Sequence, residues 1–199
     1  MEAKERSKIS LAKSAILCLL YFPFAVTALG LIQVGHYSSI NQAMSELVLG
    51  KGGQLMTIAF VLLGVGTAMM GYLLHSALPK ARVAPALMLL AAMLDLVTAI
   101  FHTNGSGPDT TGSKIHMMAG ISTFLIMILV MFTSVRAFRR DPRFKSFAWP
   151  TLIWAIATIP TFFLIPILGD TRFGLGQRTF VAVWMTWLIV LGFRIENLA

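Results

Sequence analysis

Apolar residues run along this chain in six stretches of about 20 residues, roughly Ala15–Val34, Leu55–Ser76, Val83–Phe101, His116–Phe138, Ala148–Leu168 and Arg178–Ile195. At 1.5 Å per residue each is long enough to cross a hydrocarbon core of roughly 30 Å. Inside such a core there is no water to satisfy the backbone, so each stretch must close its own hydrogen bonds as a helix. The pattern predicts an all-α bundle of six transmembrane helices. Residues 15–198 read as a single domain and residues 1–14 as a basic cytoplasmic tail, because the connections are too short to hold a second folded unit.

The polar segments between the stretches carry their own signals. Between His36 and Gln54 the connection exceeds a simple turn. Ser39 and Gln42 have the spacing of a capping box. Ile40, Met44, Leu47 and Val48 then share one helical face, and Gly50 supplies a stop. This predicts a short external helix lying in the interface between Ser39 and Leu49. A capped loop helix packed only on the bundle fits the same residues. Within the apolar stretches, Gly64, Ala68 and Gly71 suit close helix contact, and Pro160 should kink the fifth helix.

Composition agrees, at 57% hydrophobic and 12% charged residues with a mean hydropathy of +0.79. The net charge of +8 would suit nucleic acid were it spread over a surface, but its placement argues for a membrane and against nucleic acid. Twelve of the 16 basic residues fall on one side of the alternating helices: Lys4, Arg6, Lys8, Lys13, Lys80, Arg82, Arg136, Arg139, Arg140, Arg143, Lys145 and Arg194. Lys51, Lys114, Arg172 and Arg178 fall on the other. The positive-inside rule then places both termini in the cytoplasm and the chain in the cytoplasmic membrane, with membrane lipids as its surroundings. Val26-Thr27-Ala28 loosely fits a signal cleavage site, but the apolar stretch continues to Val34, so the first helix should stay uncleaved. The lone cysteine, Cys18, reads as packing.

Candidate chemistry gathers toward the outer side. Asp95 is the most informative, because an acid inside an apolar stretch must be paired, neutralised or hydrated. His102 lies seven residues on, on the same helix face and about 10 Å away. With Glu46, His116 and Arg178, these residues make a candidate ligand-binding set. Arg178 would hold an anionic headgroup, and the carboxylates and imidazoles would orient it. Asp95 and Arg178 are equally readable as a lock between helices. His36, His102 and His116 are suitable zinc ligands in type, but no two are closely spaced, and no nucleotide or esterase motif is present. No metal is assigned, and the sequence leaves any cofactor unknown.

Three stretches resemble a known family: Tyr37-Ser38-Ser39-Ile40 through Ser45-Glu46-Leu47, then Phe101-His102-Thr103-Asn104 leading to Lys114-Ile115-His116, and Gly174-Leu175-Gly176-Gln177-Arg178. They are similar to the bacterial and archaeal six-helix membrane proteins catalogued as domain of unknown function 998. The resemblance covers nearly the whole chain, and Ser45, Glu46, His116 and Arg178 match the family's polar positions. The chain departs where the family commonly has Phe-Pro-x-Asp and where an acid commonly precedes Arg178; Gln177 stands at the latter position. Both departures weaken an acid-dependent role for these loops. The resemblance implies architecture and no activity. The leading expectation is therefore a membrane bundle, leaning away from an enzyme, that binds a lipid or small amphiphile in an outward-facing polar pocket. A metal-dependent intramembrane hydrolase and a small-molecule transporter are the alternatives, the latter disfavoured by the lack of an internal repeat.

The charge partition makes a direct prediction about topology. In intact cells, cysteines placed at Lys51, Ser106 and Arg172 should react with an impermeant reagent, and one at Arg140 should not. Labelling of the Arg140 position from the periplasmic side would overturn the assignment.

Overall fold

The computed structural model describes residues 2–105, 107 and 109–198, so Ser106 lies outside the described residues. It contains α1 (Glu2–Ile32), α2 (Gln54–Ala77), α3 (Val83–Ile100), α4 (Thr111–Arg139), α5 (Lys145–Leu168) and α6 (Phe173–Glu196). There is no strand among the described residues. All six helices are long and apolar enough to cross a membrane. The protein is thus an all-α, multi-pass membrane bundle.

Each helix packs against its neighbours in sequence, and α6 returns to pack on α1, closing the six into a ring. The connections after α2, α4 and α5 are short and keep those neighbours antiparallel, because consecutive helices there have no room to cross the bundle. Glycines set the closest approaches. A Cβ at Gly64 would stand 2.9 Å from the Ala92 carbonyl oxygen of α3, and one at Gly66 would stand 3.1 Å from the Ala15 carbonyl oxygen of α1. Gly71 likewise faces Pro85 and Met88 of α3. In hydrocarbon, small residues that let backbones approach replace the hydrophobic drive that water would supply. Large side chains fill the remaining space: Trp184, Trp187, Phe138 and Phe144 are fully buried. The Trp187 indole N–H donates to Thr151 Oγ1 on α5 at 3.2 Å. Leu17, Phe24, Met118, Ile153, Phe163 and Ile167 point outward, as lipid-facing positions should.

The ends are tied by polar contacts. On the side of the termini, Arg143 donates to Asp141 at 2.8 Å and to the Ala77 carbonyl at 2.8 Å, joining the α4–α5 connection to α2. That hydrogen bond holds the Asp141 carboxyl below its ordinary range. At the other end, Gln33 donates to the carbonyls of Leu47, at 2.9 Å, and Lys51, at 3.1 Å.

Several local features differ from the sequence pattern. Residues 2–14, read as a tail, continue α1 as helix. The helix expected from Ser39 is absent there. Residues 37–43 form turns, and a 3₁₀ helix spans Met44–Leu49, ending at Gly50. Its box is shifted by four residues: Glu46 Oε1, not Gln42, accepts from the backbone N–H at the helix entrance, that of Ala43, at 2.9 Å. Gln42 instead closes a turn by accepting from Ser38 N at 2.8 Å. Met44 and Leu47 are buried against the bundle, so tertiary packing displaces the local capping signal. Helix α4 starts five residues before the apolar stretch because Thr110 caps it, accepting from Ser113 N at 3.1 Å. The α6 helix likewise begins at Phe173. His116 and Arg178 therefore sit in the second turns of their helices.

Close packing around Gly66 predicts that Gly66→Val destabilises the α1–α2 pair by about 1–3 kcal/mol, through overpacking against Ala15, Cys18 and Leu19. A substantially lower thermal midpoint in detergent checks this; Gly120→Val, where a Cβ meets nothing within 4 Å, should change it little.

Candidate functional site

The five site candidates separate into two places. Asp95 and His116 line one small cavity of about 50 Å³, together with Ser45, Thr98, Thr123, Gln177 and Trp184. Arg178 faces a different space between α1 and α6. Glu46 and His102 line neither.

Within the small cavity, Asp95 is 3% exposed. It lies in α3, where Thr98 Oγ1 folds back onto the Asp95 carbonyl at 2.6 Å. Thr123, on α4, is close enough to act on the Asp95 carboxyl. Even so, Asp95 Oδ2, Thr123 Oγ1 and the Trp184 indole N–H all lack a protein hydrogen-bond partner. Three orphaned polar atoms around one cavity are unusual, since buried polar groups are nearly always satisfied.

His116 is held by the end of α3. Its Nδ1 lies 2.7 Å from the Phe101 carbonyl oxygen and 3.1 Å from that of Thr98. Carbonyls only accept, so Nδ1 carries the proton, and in the neutral ring Nε2 is an acceptor. These two carbonyls are among those a helix C-terminus leaves unpaired; an imidazole from α4 fills the role of a cap. Phe60 of α2 meets the ring edge-on, at 5.9 Å between centroids. Gln177 Oε1 accepts from Met44 N at 2.8 Å and pins the 3₁₀ helix beside the cavity.

His102 does not sit above Asp95. The backbone leaves the helix at Phe101 (φ −99°, ψ 111°), and the His102 ring turns to Thr57 on α2, with Nε2 and Oγ1 3.1 Å apart. Glu46 is occupied within its own loop, accepting from Ala43 N and from Gln42 Nε2 at 3.0 Å. His36 is exposed. No group of three or more metal-ligating side chains assembles among the described residues.

Arg178 organises the second place. Its Nη1 donates to the carbonyls of Ser39 at 2.7 Å, Gln42 at 3.2 Å and Gly174 at 3.1 Å, and Nη2 donates to the Tyr37 hydroxyl. The guanidinium also lies 5.6 Å from the Tyr37 ring centre. Burial raises the Tyr37 hydroxyl pKa above its ordinary value, against the pull of Arg178. Tyr37 therefore stays neutral, and no carboxylate forms an ion pair with Arg178 among the described residues. The adjoining groove has a volume of about 590 Å³ and runs from Tyr37, Ser39 and Arg178 down to Phe22 on α1 and Ile189 on α6. Thr27 and Thr186 on its walls bond back to their own helices, which leaves the polarity at the Arg178 end.

Gln177, Trp184 and Tyr37 are the residues that matter here beyond the five candidates. Gln177 and Tyr37 stand in the family-like stretches. Trp184 has no signal in the sequence, where it looks like any packing aromatic.

The fold and its polar ends define a class, the polytopic six-helix membrane proteins. Within it, the chain belongs to the family described as protein of unknown function (DUF998), whose model matches residues 16–194. No curated protein and no solved structure matches it.

The His116 contacts predict a graded response. His116→Ala leaves two α3 carbonyls without their donor and should cost about 1–3 kcal/mol of stability. His116→Asn, whose amide N–H₂ stands near the Nδ1 position, should recover much of that. Thermal unfolding of the two variants checks the order; equal losses would show that ring packing on Phe60, not the hydrogen bonds, holds the site.

Proposed function

We propose that this protein binds a lipid or other small amphiphile in the groove between α1 and α6, with an anionic headgroup beside Arg178. The observation that carries the reading is the pairing of an apolar groove of about 590 Å³ with one guanidinium, unmatched by any carboxylate, at a single end. Pockets of a few hundred Å³ with apolar walls and few polar groups are the usual form of small-molecule sites. From Arg178 to Ile189 the groove follows 11 residue steps of α6, or about 17 Å. That is about half of a hydrocarbon core, the depth of one leaflet. Nη1 is committed to backbone carbonyls, whereas among the described residues no acceptor meets Nε or the second Nη2 proton. Two N–H groups are thus free to meet an anionic oxygen in the paired geometry for which arginine is suited.

The proposed orientation has both termini in the cytoplasm, which puts Arg178 and the groove mouth in the outer leaflet of the cytoplasmic membrane. No observation favours the metal-dependent hydrolase or the transporter over this reading.

Native mass spectrometry of the purified protein, with added phosphatidylglycerol or phosphatidylcholine, tests the proposal. Wild type should retain the anionic lipid preferentially. Loss of a charge-assisted contact of about 1.5–3 kcal/mol should lower its retention on the order of tenfold or more in Arg178→Gln, with partial recovery in Arg178→Lys. Ala182→Phe, one turn below Arg178 on the same groove wall, narrows the groove while keeping the arginine, and should lower retention of both lipids. Unchanged retention in Arg178→Gln and Ala182→Phe would sink the reading.

A further inference from the structure

The small cavity behind the groove has its own chemistry. Phe22, Met44 and Val181 line both spaces, so a single layer of apolar side chains separates the groove from Asp95. No lysine or arginine among the described residues lines the cavity. Arg178 is turned to its loop carbonyls, Glu46 is held by Ala43 and Gln42, and His102 is held by Thr57. Among the described residues, His116 is therefore the only titratable group that shares the cavity with Asp95.

The polar atoms around that space are complementary in kind. Asp95 Oδ2, Thr123 Oγ1 and the Trp184 N–H want partners, and His116 offers only Nε2, because Nδ1–H is spent on two carbonyls. One water needs roughly 10–15 Å³ of such space and two to four polar neighbours. About 50 Å³ therefore takes roughly three waters, enough to join all four atoms.

The geometry points to a water-filled relay inside the membrane, in which bound water links the Asp95 carboxyl to His116 Nε2 and lets the two share one proton. The step balances without any co-reactant. Asp95 Oδ2–H gives its proton to a water as that water passes one of its own to Nε2. A neutral acid and a neutral imidazole become a carboxylate and an imidazolium, and net charge does not change. Because separated charges are costly in a low-dielectric interior, the neutral pair is the resting arrangement. Water donates to the imidazole, accepts from the indole N–H, and exchanges both roles with Thr123. Among the described residues the carboxyl has no cation to pair with, so hydration is what makes an acid tolerable at this depth.

Infrared spectra of the purified protein in H₂O and D₂O test the relay. A carboxylic C=O stretch should be present at neutral pH, shift on deuteration, and vanish in Asp95→Asn. His116→Asn keeps a donor for the α3 carbonyls but has no Nε2, so the band should move although the local fold is retained. Thr123→Val should move it too, since it removes the hydroxyl that faces the Asp95 carboxyl. An absent band, a band insensitive to D₂O, or one unmoved by both His116→Asn and Thr123→Val would each overturn the relay. If Asp95→Asn fails to fold, the other two variants still assign the band. Lipid retention is a separate measurement, so failure of the groove reading leaves this one standing, and the reverse.

Discussion

A polar group inside a hydrocarbon layer has no water to fall back on, and the cost of leaving it alone is several kcal/mol. Helices meet that demand for the backbone along their length, but not at their ends or at polar side chains. In this protein both ends are tied by such contacts, and those at the end away from the termini shape the site. His116 takes the last carbonyls of α3, Arg178 takes the carbonyls of the α1–α2 connection, and Gln33 and Gln177 hold the 3₁₀ helix between them. These contacts join α4 to α3, and α6 and the end of α1 to the connection between α1 and α2.

The same demand explains why two sites arise rather than one. Arg178 reaches three carbonyls and a tyrosine, all of them neutral, so its charge stays available. Asp95 has no cation and sits in a cavity with unsatisfied neighbours. An ion pair between Asp95 and Arg178 would have cancelled both charges and left a lock. Keeping them apart leaves a cationic end on a lipid-sized groove and an acid on a water-sized space. Phe22, Met44 and Val181 form the boundary, and Met44 is also tied to Gln177 through its backbone. A movement of the 3₁₀ helix would therefore be felt on both sides.

Helical order and ring closure follow from simpler causes. Short connections fix the sequence of neighbours, and Gly64, Gly66 and Gly71 let α2 approach α1 and α3 closely. With α2 seated between them, α6 completes the wall against α1, and the groove is what remains where that closure is incomplete.

By itself, the sequence determined the six helices, their approximate limits and the all-α class, because length and apolarity are properties of each stretch alone. It also marked Asp95, His116 and Arg178, since polar residues in apolar surroundings are conspicuous. Glu46 and His102 were equally conspicuous, yet Glu46 bonds within its own loop and His102 meets Thr57 on α2, away from both cavities. The Ser39 capping signal was real in spacing and was overridden by burial of Met44 and Leu47. Only the tertiary structure decided that His116 shares a cavity with Asp95 whereas Arg178 faces a groove. The rotation of each helix about its axis settles that question. Rotation is set by packing with neighbours, and a single run of apolar residues carries little record of it when most faces of the helix are apolar.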